Sequence, residues 1–284
     1  MVESLRKNWK VYSMEAVCLG IFMISASFFA TILEYPNSII HQAMPNGFIR
    51  LCLMGLAMGV TALCINYSPM GKLSGAHMNP ALTFTFLTLG KIKRNDAIYY
   101  SIFQCIGGVA AVALMALLIG NPFHDSHVNY VTTVPGKFGE MGAFMIEVII
   151  AFIMLTMVLT TSNNPRLKNY TGAIAGFFVM SFVILSGPIS GFSMNPARTI
   201  ASAVPSGMYS SFWIYMTAPF IGFGLAAFIY KSLHGNVICA KMHHSDHYLC
   251  IFNCGYCQHQ PESSMPQVKI DLPKIDSTAK NYGN

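Results

Sequence analysis

The sequence predicts an all-α membrane protein of six transmembrane helices plus two re-entrant half-helices, folded as an inverted 3+3 repeat. Three observations predict it. Hydrophobic residues make up 54% of the 284-residue chain and charged residues only 10%, with a mean hydropathy of +0.50. Soluble domains carry about 25% charged residues. Six apolar stretches approach the roughly 20 residues that a bilayer span needs. One motif, Ser-Gly-x-x-Met-Asn-Pro-Ala, occurs twice inside this apolar sequence, at 74–81 and at 190–197.

The motif explains the half-helices. Asn is a preferred N-cap and Pro is tolerated at the first helical position, where no N–H is needed. Asn79-Pro80 and Asn195-Pro196 therefore read as helix starts, followed by apolar runs at 81–89 and 197–204. Each run is about half of a full span. Backbone can break at membrane depth only where protein buries it or where it lines a watery cavity. Two such breaks, one in each half of the chain, point to a pathway at the midplane.

Taken in order, a basic lead at 1–10 precedes a first span at 11–33, an outer loop at 34–47 and a second span at 48–67. Residues 68–78 re-enter, the first half-helix follows at 79–89, and Lys91-Ile92-Lys93-Arg94 returns the chain to the third span at 97–118. After a long linker the fourth span covers 141–161 and the turn Asn163-Asn164-Pro165-Arg166 leads to the fifth at 171–186. Residues 187–194 re-enter, the second half-helix covers 195–204, and the sixth span covers 212–231. The expected organisation is a first repeat at 1–119, an outer linker at 120–140, a second repeat at 141–233 and a cytoplasmic tail at 234–284. Glu15 and Glu147 each lie in an apolar span ahead of a box, and Gln104-Cys-Ile-Gly107-Gly108 is echoed by Pro219-Phe-Ile-Gly222-Phe-Gly224. Three spans per half is an odd number, so the two copies point in opposite directions.

The net charge of +6 does not indicate a nucleic-acid partner, because of where it sits. Arg6, Lys7, Lys10, Lys72, Lys91, Lys93, Arg94, Arg166, Lys168, Lys231, Lys241, Lys269, Lys274 and Lys280, which are 14 of the 17 basic residues, fall on one side of this topology. The positive-inside bias puts both termini in the cytoplasm, with the plasma (inner) membrane as the expected location. The first apolar stretch is too long for a cleavable leader and lacks a small-residue cleavage site.

With Arg198 directly after the second box, the paired Asn79-Pro80-Ala81 and Asn195-Pro196-Ala197 boxes resemble those of the aquaporin (major intrinsic protein) family, over roughly residues 11–233. The short loops give the chain a bacterial look. The resemblance implies a passive channel for water and small neutral solutes, embedded in the lipid bilayer, that needs no cofactor and assembles as a homotetramer. It places Arg198 in the outer constriction. Val183 falls where water-strict members carry His, and Phe192 where they carry a small residue or Cys. The second-span position is Met58 or Gly59. Losing His widens the constriction; adding Phe narrows it. Thr199 and Ala203 match the water-channel pattern rather than the glycerol one. Tyr215 keeps an aromatic where Met216 departs from the usual Trp.

Glu15 and Glu147 have two readings. They can accept hydrogen bonds from the re-entrant loops, or they can relay protons in a coupled transporter. The paired helix N-termini, each about +0.5 of a charge, argue against a proton path. His77 is a pore-lining candidate. In the tail, Cys239, His243, His244, His247, Cys250, Cys254 and Cys257 lie within 19 residues and fit a soft metal such as Zn²⁺. The alternative is a cap whose cysteines only pack, a reading also given to Cys18, Cys52, Cys64 and Cys105. The composition of 258–284 predicts disorder. A third function class, an anchor or metal sensor with a vestigial pore, leaves both boxes and Arg198 without a purpose. There is no nucleophile–base set or phosphate loop, so no enzyme is expected.

Overall fold

The structure is a computed structural model that describes residues 1–244 and 250–256. Among the described residues there are α-helices and one 3₁₀ turn, and no strand. Six helices are long and apolar enough to cross a membrane. They are α1 (Val2–Glu34), α3 (Gly47–Tyr67), α6 (Arg94–Ile119), α8 (Gly139–Ser162), α9 (Thr171–Ser190) and α11 (Phe212–His234). Short helices occupy the connections: α2 (Ile39–Ala43), α4 (Pro69–Ser74) and α7 (Asn121–His124). The half-helices are α5 (Pro80–Thr88) and α10 (Pro196–Ser206).

Several boundaries differ from the sequence reading. The lead is not a separate segment: α1 begins at Val2, because Asn8 Nδ2 and Tyr12 Oη donate to Asp96 Oδ1 and tie its first turns to the start of α6. The fifth span runs on through Pro188 to Ser190. Proline lacks the N–H that would reach the Ile184 carbonyl four residues back, and at the helix end the Ile189 carbonyl is taken by the Gly136 N–H. Part of the first re-entrant segment is the helix α4, capped by the Ser68 hydroxyl. In the described part of the tail Val237, Ala240, Met242 and Phe252 are buried. Residues 258–284 lie outside the described residues.

Packing is built on close backbone approach. In lipid, helices gain from van der Waals contact, which favours small residues at crossings. A Cβ on Gly107 of α6 would come within 2.1 Å of the Ala16 carbonyl oxygen on α1. A Cβ on Gly222 of α11 would come within 2.3 Å of the Val148 carbonyl oxygen on α8. At the crossing of α3 and α9 the relation is reciprocal: a Cβ on Gly59 would meet the Gly176 oxygen at 2.7 Å, and one on Gly176 the Gly59 oxygen at 2.8 Å. Phe28, Leu56, Leu114, Phe177, Leu185 and Phe228 point outward and are exposed. They lie on the outer surface of the bundle.

Candidate functional site

The two half-helices meet at their N-termini. Asn79 Oδ1 accepts from the Ala81 and Leu82 N–H groups, at 2.9 and 3.5 Å; Asn195 Oδ1 accepts from those of Ala197 and Arg198, at 3.0 and 3.3 Å. Each amide nitrogen crosses to the other loop. Asn79 Nδ2 donates to the Met194 carbonyl at 2.7 Å, and Asn195 Nδ2 donates to the Met78 carbonyl at 2.6 Å. An amide nitrogen carries two hydrogens. The crossing bond uses one and leaves the other for an acceptor in the cavity that both residues line.

The loops that hold these asparagines are conformationally strained in the same way. Gly75, Ala76 and Met78 have φ of 93°, 53° and 49°; Gly191, Phe192 and Met194 have 74°, 48° and 55°. Left-handed non-glycine residues cost about 1 kcal/mol or more each and persist only when their surroundings fix them. The fixing groups are mirrored. Glu15 accepts from the N–H groups of His77 and Met78 at 3.1 and 2.7 Å, and from Gln104 Nε2 at 2.7 Å. Glu147 accepts from the Ser193 N–H at 2.9 Å, the Ser190 hydroxyl at 2.6 Å and the Met194 N–H. Tyr100 Oη donates to the Ser74 carbonyl at 2.7 Å, and Tyr215 Oη to the Ser190 carbonyl at 2.6 Å. Both carboxylates are wholly buried.

The lumen has two chambers. One, of roughly 90 Å³, runs from the asparagines toward the end of the bundle where the segment after α11 packs. The other, of roughly 420 Å³, opens toward the opposite end. Phe22, Phe192 and Arg198 line both and mark the neck between them. Arg198 lines both chambers, and among the described residues its Nη1 is buried with no hydrogen-bond partner. Val183 and Met58 line the larger chamber, whereas Gly59 sits at the α3·α9 crossing. Phe22 and Met54, which the sequence reading missed, also line this chamber. A signal was present in the spacing: Leu51, Met54, Met58, Ala62 and Asn66 recur every three or four residues along α3, and all face the lumen.

A sequence model of the major intrinsic protein family matches residues 3–230. The chain belongs to the major intrinsic protein (aquaporin) family. It is 34% identical over 185 residues to aquaporin NIP1-2 of Arabidopsis thaliana, a match covering 63% of this chain and 62% of that protein. It is 34% identical over 187 residues to Arabidopsis aquaporin TIP2-1, covering 64% and 71%. The match thus spans a little under two thirds of the first relative's length and a little over two thirds of the second's. The X-ray structure of the aquaglyceroporin from Plasmodium falciparum superposes with a TM-score of 0.65 at 20% identity, over 79% of this chain and 96% of that one. The chain is accordingly an integral multi-pass channel of a family that needs no cofactor, and not an enzyme.

The segment after α11 lies beyond the family match and is seated on one mouth of this aquaporin. The Met242 N–H donates to the Gly75 carbonyl at 3.1 Å, and the Asn253 N–H to the Lys91 carbonyl at 2.9 Å. His77 lines the smaller chamber, but this segment covers it. Its Nε2 donates to the Ala240 carbonyl at 2.9 Å, its Nδ1 lies 3.1 Å from Thr83 Oγ1, and its ring is stacked between Phe86 and Phe252, with centroids 5.2 Å from each. Of the seven tail candidates for a metal, Cys239, His244, Cys250 and Cys254 come together, with ligand atoms all within 4.8 Å of one another. His243 is not in this group: its ring packs on Tyr67, 4.7 Å between centroids. His247 and Cys257 lie outside the described residues. Hydrogen bonds from Cys239 first and Cys250 second hold the Cys254 thiol well below its ordinary range, and the bond with Cys239 pushes Cys250 well above it.

Proposed function

We propose that this aquaporin is a passive channel whose principal solute is water, with slower passage of small neutral solutes such as glycerol and urea, and that it excludes protons and ions. The observation that carries the reading is the junction of two helix N-termini, each capped by an asparagine with an amide hydrogen left for the lumen. Each N-terminus contributes about half a positive charge. A cation meets two of them at one level, while neutral water meets only hydrogen-bond donors. Waters that point their oxygens at both amides cannot hand a proton along the file. Arg198 adds a fixed cation and donor at the neck, where Phe192 narrows what Val183 leaves wide. The selectivity roles of Met58 and His77 belong to the same proposal. The positive-inside distribution supports a plasma-membrane orientation with both termini cytoplasmic. Two inverted repeats, at 1–119 and 141–233, and a homotetramer with one pore per subunit complete it.

A glycerol facilitator is the second reading, favoured by Val183 in place of a bulky donor. A proton-coupled transporter through Glu15 and Glu147 is disfavoured by geometry, since each carboxylate is occupied by backbone N–H groups. Stopped-flow light scattering on proteoliposomes decides between them. Osmotic shrinkage much faster than glycerol or urea entry, and independent of a pH gradient, is the expected result. Equal rates would make the protein a mixed facilitator. No flux above empty vesicles, with or without a metal chelator, would overturn the channel reading.

A further inference from the structure

We infer that Cys239, His244, Cys250 and Cys254 form a tetrahedral soft-metal site, best matched to Zn²⁺, that fastens the segment after α11 as a plug in the pore mouth beside His77. The regulatory half of this inference rests on the channel reading above; the metal site does not.

The ligand geometry comes first. Cys239 Sγ lies 3.5 Å from His244 Nδ1 and 3.9 Å from Cys250 Sγ, and Cys254 Sγ lies 3.7 Å from the same His244 nitrogen. Zinc–sulfur bonds of about 2.3 Å and zinc–nitrogen bonds of about 2.0–2.1 Å, at tetrahedral angles, put S···S edges near about 3.8 Å and S···N edges near about 3.6 Å. Three of the six ligand–ligand edges therefore already match those of such a site, and all six lie within 4.8 Å. Three thiolates and an imidazole form a closed structural set with no position left for chemistry, and thiolate-rich sets select soft ions. Cys239, His244 and Cys254 are buried. Zn²⁺ with three thiolates and a neutral imidazole carries one net negative charge. Lys241, only 1% exposed, acts electrostatically on Cys250 and is placed to balance it. Its ammonium also donates to the Lys72 carbonyl at 2.7 Å.

The chain between the ligands explains the purpose. The described part of this segment forms no helix or strand, and so short a stretch builds little core of its own. A structural ion supplies folding free energy to such segments, and its binding releases the thiol protons. Each ligand pair brackets one large apolar side chain that is buried against the pore mouth. Between Cys239 and His244, Met242 reaches the lumen and lines the smaller chamber. Between Cys250 and Cys254, Phe252 packs on Gly75, stacks on His77 and meets the edge of Tyr100 at 6.1 Å. The Ile238 N–H bonded to Asn163 and the Tyr256 hydroxyl donating to the Ser162 carbonyl anchor the other side of the mouth, at the end of α8. The segment thus spans from the loop before the first box to the second repeat. The metal-loaded state is the closed state, and losing the ion frees the plug.

The test uses the full chain. Metal content of the purified protein should be close to one equivalent of zinc per chain. After stripping, added Co²⁺ should give the thiolate charge-transfer and ligand-field bands of a tetrahedral site. Cys239→Ser and Cys254→Ser should lose both signals. In proteoliposomes, stripping the metal should raise water flux several-fold. Met242→Ala and Phe252→Ala, which leave every ligand in place, should raise it while retaining the metal. Less than a tenth of an equivalent with no Co²⁺ bands overturns the site. One bound equivalent with flux unchanged by stripping and in both alanine variants overturns the plug. Metal bound at one equivalent, with no variant conducting above empty vesicles, overturns the channel reading and the plug with it, and leaves the site standing.

Discussion

Glu147→Gln separates an anchor from a proton relay. The carboxylate spends one oxygen, Oε1, on the Ser190 hydroxyl and the Ser193 N–H, and the other, Oε2, on the Met194 N–H. Glutamine keeps one acceptor oxygen and turns the other corner into an NH₂ group. With its oxygen toward Ser190 and Ser193, its amide faces the Met194 N–H, donor against donor. Flipped, it leaves Ser193 in the same position and gains nothing. One buried N–H is stranded either way, at about 1–3 kcal/mol, and the two surviving bonds each lose about 1 kcal/mol of charge assistance, giving about 3–5 kcal/mol in all. The loss falls on a loop whose Phe192 and Met194 are left-handed, so the loop should relax and the Asn195 amide should move off the lumen wall. Thermal unfolding in detergent should show a much lower midpoint, and stopped-flow should show reduced water flux. A variant with wild-type midpoint and wild-type water flux would refute the anchoring argument. Loss of a pH-gradient-driven flux in such a variant would establish the relay in its place.

Asn195→Asp should keep the helix cap, because a carboxylate caps as well as an amide, but it puts a negative charge between two helix N-termini and removes the donor to the Met78 carbonyl. Water flux should fall and a proton leak should appear, read with a pH-sensitive dye inside the vesicles; intact proton exclusion would count against the junction as the barrier. Gly222→Ala forces a methyl to within 2.3 Å of the Val148 oxygen, so α11 and α8 must separate. Overpacking of this kind costs about 1–3 kcal/mol or more, and a midpoint equal to wild type would show that the crossing is not close. Phe192→Gly suits the positive φ at that position and opens the neck, so glycerol entry should rise several-fold over water; unchanged glycerol entry would remove Phe192 from the filter. Val183→His should have the opposite effect on glycerol in the same assay.

The half-helices were legible because their signal is local. An Asn-Pro pair inside apolar sequence states both a cap and a depth, and the structure starts α5 and α10 at Pro80 and Pro196. Glu15 and Glu147 were legible by cost, since a carboxylate in a span demands partners. Tyr100 and Tyr215 were not legible as loop anchors. A tyrosine in a span looks like packing until the carbonyl it reaches is known, and those of Ser74 and Ser190 lie 26 and 25 residues away. Phe22 and Met54 were missed because the residue types that line this lumen are those that line any helix contact. The spans are apolar on every side, so the three-to-four spacing of Leu51, Met54, Met58, Ala62 and Asn66 has no polar opposite face to single it out as the lumen stripe. The plug was illegible for a further reason. Its residues have no period, and the partner of Asn253 is Lys91, 162 residues earlier.

What the two halves share and what they do not divides their residues by purpose. Serine, carboxylate, tyrosine and asparagine recur in both: Ser74 with Ser190, Glu15 with Glu147, Tyr100 with Tyr215, Asn79 with Asn195. Devices present at both mouths build the junction and cannot tell one mouth from the other. Direction and choice must come from the positions where the pairing fails. Directly after the boxes, Leu82 stands opposite Arg198, so only the second box is followed by a cation. At the position two before each asparagine, His77 stands opposite Ser193, and only the histidine offers a stacked ring and a donor to an arriving carbonyl. Ser193 instead turns its hydroxyl back to Thr199, 2.6 Å away inside its own repeat. The filter thus falls on the side of Arg198 and the plug on the side of His77. On the proposed reading, a symmetric scaffold with one exception at each mouth is enough to make a pore that selects at one end and closes at the other.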